Sequence, residues 1–188
     1  MHRNFQSLLE GYARIIAKPL CSYPSLLEAE VAEKGHSWLV DYRDYADCDK
    51  PAILGSGGRI LQALRTCLQS FGKRDGEDVI VKLSEPIIYR EPKPPTVVIG
   101  WSKEDDTGLA LLTAQMLECL PHYTGKVLAR NMGDHTLIEV TSDCLTTEVF
   151  SAVSLLMKAA SRRRGRKCDV RIAQPTTQTG ARATPQGV

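Results

Sequence analysis

The residues best suited to chemistry lie between Ala52 and Arg65. Ala52-Ile53-Leu54 leads into Gly55-Ser56-Gly57-Gly58, and Arg59 opens an amphipathic run through Ile60, Leu61, Leu64 and Arg65. Glycines let a backbone come close to a ligand, and a helix start offers unpaired N–H groups with a partial positive charge, so the pattern suits a phosphate. Spacing excludes two common phosphate loops. A P-loop needs Lys followed by Ser or Thr where Arg59-Ile60 stands, and a dinucleotide fingerprint counted from Gly55 needs glycine where Ile60 stands. A GxxG loop between two helices fits, and such loops clamp about four nucleotides of a single strand.

Other reactive residue types show no comparable pattern. The six cysteines form no CxxC pair, and the four histidines, His2, His36, His122 and His135, lack metal-ligand spacing. Gly55-Ser56-Gly57 lacks the strand-to-helix GxSxG frame of a nucleophilic serine. The expectation is a protein that is not an enzyme and takes no cofactor or metal. Cys21, Cys48, Cys119 and Cys144, which recur at matching places in the two halves, read as small buried apolar residues in a reducing compartment.

The loop has to be held by elements, and periodicity supplies them. Leu8, Leu9, Tyr12, Ile15, Ile16 and Leu20 have the three-and-four spacing of a helix over residues 6–20, ending near Pro19. Leu26 to Glu33 and Trp38 to Tyr42, separated by Lys34-Gly35, read as a hairpin. A short helix before the loop and a longer one with Ile60, Leu61, Leu64, Cys67, Leu68 and Phe71 on one face follow, then a β-branched strand from Val79 to Leu83. The order is α-β-β-α-α-β.

With GxxGR, the Ala-Leu-Arg-Thr that follows it and the later Val-Ile-Val-Lys-Leu, residues 5–85 resemble the small bacterial RNA-binding proteins of the type II KH family. The resemblance implies a non-catalytic RNA chaperone or regulator, often dimeric, that binds single-stranded RNA in a groove of loop, following helix and sheet edge. Backbone N–H groups of Gly55, Ser56, Gly57, Gly58 and Arg59 would meet phosphates, Arg59 and Arg65 would add charge, and Ile53, Leu54, Ile60 and Leu61 would form an apolar floor. Relatives carry Lys or Arg in the variable loop positions. Here Ser56 and Gly57 stand there, with Asp47 and Asp49 just upstream, which lowers the affinity expected and its salt dependence.

The second half reads as a repeat of the first. His36-Ser37-Trp38-Leu39-Val40-Asp41 and His135-Thr136-Leu137-Ile138-Glu139 each follow a glycine and lead to Asp-Cys, at Asp47-Cys48 and Asp143-Cys144. Helix 107–120, hairpin strands 126–130 and 136–141, helix 148–161 and strand 168–173 repeat the order. No glycine occupies the loop position between Asp143 and Glu148, so this copy reads as a degenerate KH-like unit kept for packing or for a protein partner. The fold class expected is α+β, with tandem KH-like units each built on a three-stranded sheet. Residues 1–85 form the first, 86–96 a Pro-rich linker, 97–174 the second and 175–188 a disordered tail.

The net charge of +2 is too small to mark a nucleic-acid binder. Residues 1–85 carry 11 basic and 12 acidic side chains, leaving 13 basic and 10 acidic for the remainder. Much of that excess is Arg162-Arg163-Arg164-Gly165-Arg166-Lys167, which exceeds what capping a helix C-terminus requires and forms a candidate second phosphate contact at the opposite end of its helix from the loop position. No run of about 18 apolar residues is present and the N-terminus lacks a signal sequence, so a cytoplasmic protein without a membrane partner is expected. RNA is the partner expected. A protein-interaction or architectural subunit, with a homo-oligomer or protein partner, is the competing reading.

Overall fold

A computed structural model describes residues 2–73, 75–89, 106–120, 123–142 and 145–173 of the chain. The elements run α1 (His2–Ala17), β1 (Glu28–Lys34), β2 (Ser37–Arg43), α2 (Lys50–Leu54), α3 (Arg59–Lys73), β3 (Asp78–Leu83), α4 (Asp106–Glu118), β4 (Lys126–Asn131), β5 (Thr136–Thr141), α5 (Thr147–Arg163) and β6 (Cys168–Ile172). Single 3-10 turns cover Lys18–Leu20, Asp47–Asp49 and Ser56–Gly58. The fold is α+β, with two small three-stranded sheets in tandem.

The two sheets have one topology. In each, the hairpin strands pair antiparallel and the last strand pairs parallel with the middle one, giving the orders β1-β2-β3 and β4-β5-β6. Ser37 and Thr136, each following a histidine, open the middle strand and pair with Asp78 and Cys168 at the start of the closing strand. The repeat read from His36 and His135 is therefore also a structural one. Residues 142–146 separate β5 from α5, against 44–58 between β2 and α3, and none of the described residues of the shorter connection is helical.

Alternation decides which sheet face is covered. Ala29, Val31, Trp38, Val40, Tyr42, Val79 and Val81 point inward against α1 and α3, while Glu30, Ile80 and Lys82 face outward. Leu9, Tyr12, Ala13, Ile16 and Ala17 form the buried stripe of α1, and the Tyr42 hydroxyl donates to the Ala13 carbonyl at 3.0 Å. In the second unit Ile138 and Val140 share a buried cluster with Val149, Val153, Leu156 and Met157 of α5, whose first turn is capped by Thr146 Oγ1 accepting from the Val149 N–H.

The cores of the two units are continuous. α3 packs along α5, α1 touches α4, and the buried Tyr12 hydroxyl donates to the Met116 carbonyl at 3.2 Å. Beyond Leu83 the chain stays on the first unit: the Ile87 N–H donates to the Tyr45 carbonyl, the Asp47 N–H to the Ile87 carbonyl, and Tyr23 and Tyr89 meet ring to ring. The rest of the Pro-rich segment, the strand-like run at 97–101, Arg74, Pro121, Asp143-Cys144 and the tail lie outside the described residues. Among the described residues no helix is long and apolar enough to cross a membrane.

Candidate nucleic-acid interface

The glycine loop is built from a stopped helix and a started one. Pro51 sits in the first turn of α2, and the Gly55 N–H closes that helix by donating to the Pro51 carbonyl at 2.8 Å. Gly55 has φ +69 and ψ 170, and a Cβ there would lie 2.4 Å from Ile60 Cγ1, so both backbone and space require glycine. Gly57 and Gly58 are also left-handed, at φ +62 and +75, but face open space. The Gly58 N–H donates to the Gly55 carbonyl and the Arg59 N–H to the Ser56 carbonyl. Three of the five N–H groups expected to meet phosphates are thus bonded within the loop. Those of Ser56 and Gly57 remain.

A groove of about 440 Å³ runs beside this loop. Pro51, Ala52, Gly55, Ser56, Arg59 and Ile60 line one wall; Leu155, Ala159, Arg162 and Arg163 of α5 line the other, with Leu20 between them. The expected floor is corrected accordingly. Ile60, though itself buried, lines the groove; Ile53, Leu54 and Leu61 lie outside the lining, Ile53 and Leu61 as members of the core cluster and Leu54 half-buried against it. Arg65 is half-buried and lies outside the lining, and no sheet edge contributes. A helical apolar residue beside a loop reads equally as floor or as core, and here the core took Ile53 and Leu61.

The basic run is divided among three tasks. Arg162 is exposed and lines the groove. Arg163 lines it too, while its Nη1 donates to Ser22 Oγ at 3.0 Å and its Nη2 lies 3.8 Å from Asp49 Oδ1. Arg164 donates to the carbonyls of Ala160 at 2.9 Å and Pro19 at 3.4 Å, and its burial lowers its pKa. Lys167 is exposed, and Arg166 is half-buried. The run does end its helix far from its own unit's loop position. Packing of α5 on α3 nevertheless brings it to the loop of the other unit.

Asp49, expected to repel phosphate, is turned inward. Fully buried, its carboxylate accepts the N–H groups of Ser22 at 2.7 Å and Tyr23 at 3.1 Å, pinning the turn after α1 beneath Arg163. Asp47 is exposed and accepts from the Cys48 N–H. Of the cysteines expected to be buried, Cys21 is, Cys119 is half-buried and Cys48 is exposed; Cys67 and Cys168 are buried as well, and burial pushes the Cys67 thiol up to about 12. His36 is exposed, and His135 is half-exposed in the turn before β5 with Nδ1 2.7 Å from Asp134. Among the described residues no cluster of His, Cys, Asp and Glu is arranged to hold a metal ion.

Neither the known protein-family models nor the curated proteins match this chain. The site is therefore read from its own geometry. Leu155 and Ala159 could not be read from the sequence, because nothing local marks a wall contributed by the other unit; Leu20 and Pro51 carry no local mark either. A signal was present in α3: its buried residues, from Ala63 round to Gly72, cover about half the circumference, more than packing on one sheet demands.

Proposed function

We propose that the chain is a non-catalytic, single-stranded RNA-binding protein of KH-like character, acting as an RNA chaperone or regulator in the cytoplasm. The observation that carries the reading is the groove, in which a glycine-dense loop and an apolar floor meet Arg59, Arg162 and Arg163 with no carboxylate in the lining. Guanidinium groups supply bidentate phosphate contacts and stacking planes for bases, and the second unit furnishes the charge that Ser56 and Gly57 lack. The strand would cross between the units, its backbone toward the arginines and its bases against Ile60, Leu155 and Ala159.

The test is fluorescence anisotropy of a single-stranded RNA pool over a salt series. Gly57→Asp is the informative variant, because the position is left-handed, tolerable for Asp, and open to solvent. Binding should weaken about tenfold or more while the melting temperature barely moves. Salt-independent binding, or binding indifferent to this variant, would reject the reading. The loop N–H groups bonded internally favour the second reading, a KH-like fold turned to protein binding, and that reading predicts no RNA affinity at any salt concentration.

A further inference from the structure

We propose that the groove holds the phosphorylated end of a strand, one terminal nucleotide with its phosphomonoester, rather than an internal stretch. The inference rests on the strand-binding reading and narrows it.

Charge points to a terminal phosphate. Arg59, Arg162 and Arg163 bring three positive charges to the lining, and Asp49, whose oxygens already accept the Ser22 and Tyr23 N–H groups, offsets one of them behind Arg163. The excess of two cations matches a phosphomonoester, which carries about −1.5 to −2 at neutral pH, better than a diester with a single charge. A terminal phosphate also presents three free oxygens to arginine forks.

Room and closure agree. About 440 Å³ lies toward the lower end of the range for small-molecule sites and is room for one nucleotide within the groove. On the Leu20 side, Arg163 bonds Ser22 Oγ and Arg164 bonds the Pro19 carbonyl, so the end of α5 is fastened to the turn after α1. These bonds hold the turn after α1 against the groove's Leu20 margin. A strand that ends there leaves them intact, and it needs no more of the loop than the N–H groups of Ser56 and Gly57.

The full chain is titrated, by anisotropy, with short single-stranded RNAs of one sequence that carry a phosphate at the first nucleotide, at the last, at neither, or are circular, with adenosine 5′- and 3′-monophosphate as competitors. One phosphorylated linear form should bind about tenfold more tightly than the hydroxyl-ended and circular forms. Arg59→Gln and Arg162→Gln, both at exposed positions, should erase that ratio, whereas Arg171→Gln, on β6 away from the groove, should preserve it. Equal affinity for all four RNAs, still weakened by Gly57→Asp, overturns the end-binding proposal and leaves strand binding standing. A ratio that survives Arg59→Gln and Arg162→Gln overturns the placement in this groove. A seat for one nucleotide should also accept a mononucleotide, so failure of adenosine 5′- and 3′-monophosphate alike to compete overturns the one-nucleotide seat, and absence of binding by every RNA overturns both readings.

Discussion

Gly55 and Gly57 are the same residue for different reasons. At Gly55 a side chain meets Ile60 in a left-handed backbone, so Gly55→Ala should cost about 2–4 kcal/mol in urea denaturation and lower the melting temperature with or without ligand. Gly57 faces open space, so substitution there acts on binding rather than on folding. Asp41 is the other residue with a sharp consequence. Its burial opposes ionisation, but hydrogen bonds from Ser84 Oγ at 2.7 Å, Arg43 at 3.2 Å and Lys82 at 3.3 Å prevail and hold its pKa below the ordinary value. With the folded value below the unfolded one, this stabilisation is complete above about pH 4 and is lost as pH falls through the folded pKa. Asp41→Asn should therefore flatten the acid limb of a stability-against-pH curve. The sequence marked Gly55 to Arg59 by composition alone, but the inward turn of Asp49 depends on Ser22 and Tyr23, 27 and 26 residues away, and no local pattern encodes it.

Elements were the most legible level, because hydrophobic periodicity is a local property of the chain. The helices and strands marked by periodicity are present, with ends shifted by a few residues, as where α1 begins at His2 and α5 continues to Arg163, whereas the second unit shows only α5 between β5 and β6 among the described residues. The wall that α5 gives the groove was not legible, since Leu155 and Ala159 carry the same pattern whether they meet a sheet, a helix or a ligand. The two neighbouring arginines on that wall separate binding from architecture. Arg162→Ala should weaken RNA binding with little change in unfolding free energy. Arg163→Ala should weaken binding and also destabilise the fold by about 1 kcal/mol, a modest amount because the pair with Asp49 is partly solvated. Paired binding and denaturation curves on the two variants check this.

For the whole molecule the decisive fact is the shared core. Val153, Leu156 and Met157 of the second unit belong to the same buried cluster as Leu64, Leu68 and Phe71 of the first, and the Tyr12 bond to Met116 crosses between them. Heating should give one cooperative transition, with calorimetric and van't Hoff enthalpies equal, rather than two. A fragment ending at residue 89 exposes the α3 face that α5 covers and should be soluble only as an oligomer or unfold well below the full chain. Two separable transitions would contradict this account.

The division of the groove between repeats has a further consequence. Two identical copies would each offer glycines and cations, and so two equivalent seats related by symmetry. Here the glycines come from the loop before α3 and the cations chiefly from the end of α5, so two units of like topology form a single seat with unlike sides. Under the proposed function the chain should take one strand per molecule and hold it in one direction only, a stoichiometry and a polarity that neither repeat could impose alone.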